Sequence, residues 1–213
     1  MTAVRLQTVM GRDLEQYVHD LARLRIEVFR AFPYLYDGSM DYEAQYLDTY
    51  VQCPDAAMVL AFDGEQVVGA SSCIPMRAED EAFKRPFMEQ AQSLGYDFSV
   101  NELFYCGESV LDSRYRGQGI GVAFFREREA HAARLGGFTH VCFCAVDRPT
   151  DHPLRPADYV PLDDFWRKRG YEKQPELQAH FAWKDIDQAE ETEKTLTFWL
   201  KRLAASHSSA FST

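Results

Sequence analysis

Three glycines within five positions, Gly117, Gly119 and Gly121, separate an apolar run from a long helical pattern and limit the possible folds more than any other stretch. Glycine removes side chains from a turn, so backbone N–H groups can approach a ligand and the next helix begins with uncovered donors. Arg114 and Arg116 add positive charge beside the positive end of the helix dipole. The stretch therefore predicts a strand, a turn that binds phosphate or pyrophosphate, and a helix.

Two well-known phosphate loops fit this stretch less well. A P-loop requires Lys and then Ser or Thr after its last glycine, whereas Val122 and Ala123 follow Gly121. A dinucleotide fingerprint requires two residues between its second and third glycines, and Ile120 alone lies between them here. The stretch from Arg116 to Gly121 fits the pattern R/Q-x-x-G-x-G/A instead. A plain tight connection between a strand and a helix is the alternative.

Composition limits the class of protein. The chain has 213 residues, of which 46% are hydrophobic and 14% aromatic, enough for the core of one domain. A formal net charge of -10 disfavours binding to nucleic acid or to an anionic membrane surface. No run of eighteen apolar residues occurs and the first residues lack a signal-peptide pattern, so we expect a cytoplasmic protein.

The cysteines and histidines show no spacing typical of a zinc site, so no metal is expected. The cysteines lie mostly in apolar runs, and we expect them to be reduced and largely buried. They are Cys53, Cys73, Cys106, Cys142 and Cys144.

Hydrophobic periodicity predicts an ordered series of strands and helices. Strands are predicted at 3–10, 56–62, 66–75, 101–111, 139–146, 177–186 and 195–203, and helices at 13–33, 40–51, from the glycine turn to Gly136, and within 162–171. An amphipathic helix is the alternative for 195–203. Residues 77–100 are predicted as a helical insertion, in which Pro86 breaks or begins a helix and Gly95 ends one. Residues 204–213 are predicted as a flexible tail.

The order of these elements, the glycine pattern and the stretch "FWRKRGY" at 165–171 together resemble the GNAT superfamily of acyl-CoA-dependent N-acetyltransferases. In that family a short helix closes with glycine and an aromatic residue before the sixth strand, as Gly170 and Tyr171 do here. The resemblance implies a single α/β (α+β) domain over 1–213 with its core at 3–203. Its sheet would be mixed, mostly antiparallel and seven-stranded, splayed between strands 4 and 5 and flanked by helices.

The resemblance also implies acetyl-CoA as co-substrate and indicates where it binds. The pantetheine amides would pair with the free edge of strand 4, and the pyrophosphate would lie on the glycine turn. Lys168 or Arg167 would meet the nucleotide end, with a solvated helix face as an equal alternative. The implied cofactor-binding residues are Ser109, Val110, Leu111, Arg116, Gly117, Gln118, Gly119, Ile120, Gly121 and Lys168.

Acyl transfer to an alkylamine requires a base, because such an amine is almost fully protonated near neutral pH. Glu108 is the predicted base, since an acid within an apolar strand is costly to bury unless it is paired or faces a cavity. A structural glutamate, at the end of a ladder or paired with an arginine, is the alternative. A bulge in strand 4 would reverse the face that Glu108 occupies. The N–H of Val110 or Leu111 is the predicted oxyanion donor.

The general acid is where the sequence departs from the family. Many members have tyrosine four residues before the glycine of the second signature, but Trp166 stands there and its indole is no useful acid. Tyr159 is the predicted catalytic replacement, with Cys144 and Tyr171 as further candidates. Each of the three also fits a packing role, and water is a further proton source for the thiolate.

The acceptor site is predicted from two stretches, the tyrosine-rich connection after the first helix and the long loop at 147–164. The predicted substrate-binding residues are Tyr34, Tyr36, Glu102, Asp147 and His152, with aromatic packing or a solvated loop as their alternatives. We expect a small-molecule primary amine as acceptor and no nucleic-acid or membrane partner, and a homodimer is left open. A non-catalytic acyl-CoA-binding module and a protein or peptide N-acetyltransferase are the alternative functions.

Overall fold

The computed structural model describes residues 4–204, and this part of the chain forms eight strands and five α-helices. In chain order they are β1 (Arg5–Met10), α1 (Val18–Phe29), α2 (Met40–Gln52), β2 (Ala57–Asp63), β3 (Gln66–Pro75), α3 (Glu81–Gln90), β4 (Leu103–Tyr105), β5 (Ser109–Leu111), α4 (Ile120–Leu135), β6 (His140–Val146), α5 (Asp163–Arg167), β7 (Glu172–Lys184) and β8 (Glu191–Arg202). A 3-10 segment, Gly11–Tyr17, leads into α1. Ala3, predicted as the first strand residue, and the predicted tail from residue 205 lie outside the described residues.

The strands form one mixed sheet in the order β1-β2-β3-β4-β6-β8-β7, and β5 also pairs with β3. The pairings are antiparallel except that of β4 with β6, which is parallel. The predicted fold class is confirmed: a mixed, mostly antiparallel sheet with flanking helices. The described sheet has eight strands rather than seven, because predicted strand 4 is divided into β4 and β5.

A β-bulge separates β4 from β5. Tyr105 pairs with Ile74 and Ser109 pairs with Ser71, so one strand advances four residues while its partner advances three. The extra residue reverses which side chains face each side of the sheet. Beyond the bulge β5 follows β3 while β6 follows β8, and a gap opens between β5 and β6.

Helices cover both faces of the sheet. On one face Leu21 of α1, Leu47 of α2 and Phe87 of α3 belong to a core that also contains Tyr105 and Val110. On the other face α4 and α5 pack on residues of β3, β4 and β6. The glycine predicted to end α4 does so, since Gly136 caps the helix with a φ of 72°.

Residues 195–202 are strand rather than the alternative helix. β8 lies between β6 and β7, so both of its edges are paired. Phe198 and Trp199 are consecutive and both buried, one in each core, as expected for an interior strand.

Three local predictions are wrong. Gly95 lies in a turn beyond α3, which already ends at Gln90, so it does not end a helix. Pro86 lies inside α3 instead of starting or breaking it, and the helix begins at Glu81 behind Asp80, whose carboxylate accepts the Ala82 N–H at 2.8 Å. β7 begins at Glu172 instead of residue 177, because a register shift between Gln174 and Gln178 lets the strand accommodate residues 175–177, including a proline.

Candidate active site

A cavity of about 510 Å³ lies between the sheet and helices α1 and α2. It reaches the bulge at Gly107 and Glu108, and it reaches β6 at Cys144. Nine of the twenty residues that line it are aromatic, so rings provide much of the carbon surface of its walls. The charged residues that line it are Arg25, Glu79, Asp80 and Glu108.

The bulge directs the Glu108 side chain into this cavity. In a regular strand Glu108 would share a face with Cys106, which is buried on the α4 side of the sheet. A Cβ at Gly107 would lie 2.2 Å from the Tyr50 Oη and 2.7 Å from the Ser72 Oγ, so the bulge requires glycine there. Ser72 fixes the next residue, because its Oγ accepts the Glu108 N–H at 3.1 Å and its N–H donates to the Glu108 carbonyl at 3.0 Å.

The Glu108 carboxylate is buried and has two partners. Its Oε1 lies 2.7 Å from Arg25 Nη1, and its Oε2 accepts the Tyr46 hydroxyl at 2.8 Å. Arg25 also donates through Nε to the fully buried carboxylate of Glu43. The arginine pairing given above as the structural alternative is therefore present, and Glu108 faces the cavity as well.

A row of hydroxyl groups connects Glu108 with a second cavity carboxylate, Glu79. Tyr46 and Tyr50 lie one turn apart on α2, and their Oη atoms are 3.0 Å apart. Tyr50 Oη lies 2.9 Å from Glu79 Oε1, just as Tyr46 Oη lies 2.8 Å from Glu108. Burial raises the pKa of both tyrosines and of Glu79. The hydroxyls therefore stay protonated, and Glu79 holds a proton at higher pH than an exposed glutamate.

The number of protons in this row matters. Three oxygen–oxygen contacts need three protons to become three hydrogen bonds, but the two tyrosines supply only two. Tyr46 donates to Glu108 and Tyr50 donates to Glu79, so the contact between the two hydroxyl oxygens has no proton of its own. A proton added to one carboxylate would complete the row, because each hydroxyl could then donate to the next oxygen toward the other carboxylate.

Tyr34 and Tyr36, both predicted to bind substrate, line the same cavity. They belong to the connection between α1 and α2, which Arg148 holds from outside. Arg148 donates to the Tyr34 carbonyl at 2.7 Å, and Trp183 Nε1 donates to the same oxygen at 3.1 Å. Burial raises the pKa of Tyr34 above that of free tyrosine. The wall is thus an ordered surface with a neutral phenol.

The glycine turn lies on the other side of the sheet, at the start of α4. Gly117 and Gly119 have φ values of 76° and 81°, the left-handed region that favours glycine. The first hydrogen bond within α4 runs from the Ala123 N–H to the Gly119 carbonyl, so the N–H groups before it have no acceptor inside the helix. Arg116 is exposed beside them, whereas Arg114 is paired with Asp112.

Along β5, the backbone N–H and C=O groups of successive residues point alternately toward β3 and away from it. Asp112 donates to the Val68 carbonyl and Ser72 donates to the Glu108 carbonyl, so the residue midway between, Val110, also falls at a hydrogen-bonded pair with β3. Ser109 and Leu111 direct their backbone groups to the gap beside β6. Of the two predicted oxyanion donors, the Val110 N–H is therefore excluded, because it points to β3, and the Leu111 N–H remains.

Three predicted residues lie away from the cavity. Asp147 and His152 line a separate open groove of about 630 Å³. Asp147 accepts the Thr197 hydroxyl and lies 3.3 Å from Lys173 Nζ. Tyr159 packs edge-on against Phe32 at 4.7 Å between ring centroids.

The remaining predicted residues lie in different parts of the structure, and of these Cys144 lines the cavity. Glu102 caps a 3-10 turn, where its carboxylate accepts the Ser99 N–H at 2.9 Å. Tyr171 donates to Glu129 at 3.0 Å in the core on the α4 side. Cys144 lines the cavity 3.3 Å from the Tyr105 hydroxyl, and burial raises its pKa to about 12. Lys168 is exposed at the end of α5.

Trp166 occupies the position at which the resemblance given above implies an acidic tyrosine. Its ring packs edge-on against Trp199 at 5.0 Å and against Phe143 at 5.1 Å. The position therefore has a packing contact in this chain in place of a hydroxyl.

The sequence did not identify four residues of this site: Arg25, Tyr46 and Glu79, which line the cavity, and Tyr50, which connects Tyr46 with Glu79. Arg25 gave a signal, since it is a charge on the apolar face of α1. Tyr46 and Tyr50 recur at helical spacing, which predicted a buried face without indicating that the hydroxyls meet a carboxylate. Glu79 follows β3 in a charged stretch and carries no local signal.

Within residues 4–204, no group of His, Cys, Asp or Glu side chains is arranged to hold a metal ion. None of the helices in this part is both long and apolar enough to cross a bilayer.

Comparison with known proteins gives a family match. The profile described as "Acetyltransferase (GNAT) family" matches residues 21–157. No curated protein matches the chain.

Similar solved structures share the fold over nearly their full lengths. An aminoglycoside 6'-N-acetyltransferase complexed with coenzyme A is 15% identical, with a TM-score of 0.56 over 94% of this chain and 97% of its own. A ribosomal-protein-alanine N-acetyltransferase from Brucella melitensis is 14% identical, with a TM-score of 0.56 over 93% and 99%. An N-acetyltransferase from Staphylococcus aureus Mu50 is 9% identical, with a TM-score of 0.58 over 95% and 100%.

Proposed function

The chain belongs to the GNAT family of acyl-CoA-dependent acetyltransferases, and on that premise we propose that it transfers the acetyl group of acetyl-CoA to the primary amine of a small molecule. The observation that carries the proposal is the cavity at the bulge. A buried carboxylate, Glu108, faces this cavity next to the gap between β5 and β6. An amine in the cavity would meet both a base and an acyl group entering through the gap.

Acetyl-CoA, the acetyl donor, would bind on the opposite side of the same gap. The uncovered N–H groups at the start of α4 suit the pyrophosphate, and the exposed Arg116 adds positive charge. The backbone groups of Ser109 and Leu111 suit the pantetheine amides, which would add to β5 as a further strand. The acetyl thioester would then pass between β5 and β6 and reach the cavity. Lys168, exposed on α5, is our candidate for the nucleotide end.

The reaction needs a neutral amine. In the proposed sequence, the Glu108 carboxylate takes one proton from the ammonium group, and the amine nitrogen attacks the thioester carbonyl. The Leu111 N–H stabilises the oxyanion of the tetrahedral intermediate. The C–S bond then breaks, the CoA thiolate takes a proton from water, and the amide nitrogen gives its second proton to the hydroxide that this leaves, so that Glu108 holds one proton from the amine.

The hydroxyl row explains how Glu108 regains its charge. The proton on Glu108 moves to Tyr46, Tyr46 and Tyr50 each pass their own proton along the row, and Glu79 takes the last proton and releases it to solvent. The Tyr50→Phe substitution breaks this row without touching Glu108. We expect it to lower kcat by about tenfold, the equivalent of one lost hydrogen bond, and to change the pH dependence of kcat. Tyr42→Phe, two turns earlier on α2 and outside the row, should leave both unchanged; equal behaviour of the two variants would refute the relay.

The test of the proposed function measures free CoA. Purified protein is incubated with acetyl-CoA and a panel of primary amines and a lysine-containing peptide, and thiol release is followed. Release that depends on a small amine supports the proposal. Release with the peptide alone would identify a protein acetyltransferase, and tight acetyl-CoA binding without any release would identify a non-catalytic acyl-CoA-binding module.

A further inference from the structure

We infer that the acceptor is an apolar primary amine, aromatic or aliphatic, that carries no carboxylate or phosphate group. The inference rests on the proposed function and concerns which amines this cavity admits. It is carried by the charges and by the ring-lined walls of the cavity.

The charges of the cavity exclude an anionic acceptor. Among the described residues that line it, Arg25 is the one cation, and both Glu43 and Glu108 already pair with it. Glu79 and Asp80 add negative charge at the opposite end of the hydroxyl row. A carboxylate on the acceptor would lose its hydration and gain no cation in return, which is costly in a buried site. An ammonium group on the acceptor would also lose its hydration, but it would meet carboxylates of opposite charge in return.

The walls favour an apolar body. Phe29, Phe83, Phe181 and Trp183 line the cavity with carbon surface. Several polar groups in and behind these walls already have partners within the protein. Trp183 Nε1 donates to the Tyr34 carbonyl, and the Tyr46 and Tyr50 hydroxyls belong to the row between the two glutamates. A body with many hydroxyl groups would therefore leave several of them without hydrogen bonds.

The aromatic rings also suit the ammonium form in which an amine arrives. A cation near the face of an aromatic ring gains electrostatic energy while its hydration is removed. The same wall already binds one cation in this way, since the Arg25 guanidinium lies 4.1 Å from the centroid of the Tyr46 ring. The cavity volume of about 510 Å³ is in the range of small-molecule sites.

The test compares four primary amines. Phenethylamine is the apolar reference, L-phenylalaninamide adds an uncharged amide, L-phenylalanine adds a carboxylate, and glucosamine has a body rich in hydroxyl groups. We expect kcat/KM for phenethylamine to exceed that for phenylalanine and for glucosamine by about 100-fold, the equivalent of an uncompensated buried polar or charged group. Phenylalaninamide, which has the bulk of the amino acid without its charge, should fall between. The carbonyl substituent makes the amines of phenylalanine and its amide less basic than phenethylamine, so a preference for phenethylamine would not reflect a larger neutral fraction.

A matched pair of variants links the preference to the wall. Phe83→Leu removes a ring that lines the cavity, and Phe87→Leu removes one from the same helix that packs on Phe198 instead. Both should lower stability, but only Phe83→Leu should raise the KM for phenethylamine. Equal KM values in the two variants would overturn the assignment of the wall.

The outcomes separate this inference from the proposed function. Turnover that favours phenylalanine or glucosamine would overturn the acceptor class and leave the acetyltransferase activity intact. Calorimetric titration of the same four compounds reports binding without turnover. No release of CoA with any amine would overturn the proposed function, and in that case binding of phenethylamine but not of phenylalanine would still support the cavity chemistry.

Discussion

Glu108 belongs to a buried group of three charges in which one cation, Arg25, serves two carboxylates. Such a group is costly, since each charge has lost its hydration and the pairing compensates only in part. A buried arginine needs one counter-charge for stability, and Glu43, whose carboxylate is fully buried, provides it for Arg25. The second carboxylate adds negative charge at the cavity surface, where a base for the amine is needed.

The first prediction is that Glu108→Gln lowers kcat/KM by about 10²- to 10⁴-fold, the usual contribution of a positioned base. Acetyl-CoA affinity should be unchanged, because the proposed contacts with CoA on β5 are to backbone. The loss should shrink as the pH approaches the pKa of the amine, since the acceptor then arrives already neutral. The measurement is a pH–rate profile of both proteins with one acceptor.

Glu43→Gln is the control, because it removes a partner of the same Arg25 but leaves the cavity carboxylate in place. It should change stability more than kcat/KM. A loss in Glu108→Gln that is the same at every pH, or that Glu43→Gln reproduces, would assign Glu108 a structural role.

The second prediction concerns Gly119, whose φ of 81° places it in the left-handed region at the start of α4. A Cβ there would meet open space, so the direct penalty is backbone strain and obstruction of any anion bound at the turn. Gly119→Val should therefore weaken acetyl-CoA binding severely, as measured by calorimetric titration.

Substitutions of two other glycines are the controls for the Gly119→Val variant. Gly137 has a φ of 79° and equally open surroundings, but it lies after the other end of α4. Gly137→Val should cost similar stability and leave the affinity unchanged. Gly121→Ala adds a Cβ at ordinary contact distance, 3.4 Å from Phe165, and should be tolerated. Unchanged affinity in a folded Gly119→Val protein would contradict the site assignment.

At the scale of elements, the bulge between β4 and β5 connects sequence to chemistry. It places Glu108 on the same face as Tyr105, and it separates β5 from β6. It is held from both faces of the sheet. Ser72 bonds both backbone groups of Glu108, and Arg128 of α4 donates to the Glu108 carbonyl at 3.3 Å.

The third prediction is that Gly107→Ala lowers the free energy of unfolding by about 1–3 kcal/mol, the usual cost of overpacking. The added Cβ would collide with the Tyr50 hydroxyl and the Ser72 Oγ, so the hydroxyl row must move. Activity should fall more than the stability loss explains. Cys106→Ala, which changes the neighbouring bulge residue on the α4 side, should lower stability while keeping kcat. The measurements are denaturant unfolding and steady-state kinetics, and equal kcat values in the two variants would contradict the proposal.

Elements with a clear hydrophobic periodicity were predictable from the sequence, but the register in which the strands pair was not. Strands β2 and β3 and the glycine turn before α4 carry local signals, and the structure has these strands and a turn followed by a helix at the predicted places. Phosphate binding at the turn stays a prediction. The stretch "NELFYCGESVL" is apolar on both faces, so its alternation could not reveal an extra residue. The site shows the same limit: Arg25, Glu79 and Glu108 come from three distant segments, and a local pattern shows that a side chain is buried without showing what it meets.

At the scale of the whole molecule, one buried ion pair joins the wall of the cavity to the far edge of the sheet. Arg148 donates to both carboxylate oxygens of Asp185, at 2.7 and 2.9 Å, and to the carbonyls of Pro33 and Tyr34. Lys194 lies 3.4 Å from the same carboxylate. Residues 35–37 also pair with residues 184–186 through backbone hydrogen bonds. The connection between α1 and α2 is therefore positioned by the end of β7.

The fourth prediction is that Asp185→Asn destabilises the protein by about 3–5 kcal/mol at neutral pH, because it leaves Arg148 and Lys194 buried without a counter-charge. Burial by itself would raise the pKa of Asp185, but the hydrogen bonds and charge of Arg148, together with Lys194, hold that pKa below its ordinary value. A carboxyl group with a lowered pKa in the folded state stabilises the protein above its unfolded pKa, and this contribution is lost as the pH falls through the folded pKa. The difference between wild type and Asp185→Asn should therefore be constant above about pH 5 and shrink below about pH 4.

The control for this prediction is Asp37→Asn, since Asp37 also has two cationic partners, Arg30 and Lys184, but at an exposed position. Water compensates for such a loss, so we expect little change in stability. Because the wall carrying Tyr34 loses its anchor, Asp185→Asn should raise the KM for the amine and leave acetyl-CoA affinity unchanged. The measurements are urea unfolding across about pH 2–8, which extends well below the ordinary carboxyl pKa of about 3.9, and calorimetric titration at about pH 7. A stability difference that persists unchanged at the acid end, or one that Asp37→Asn reproduces, would show that the Arg148–Asp185 pair does not anchor the cavity wall.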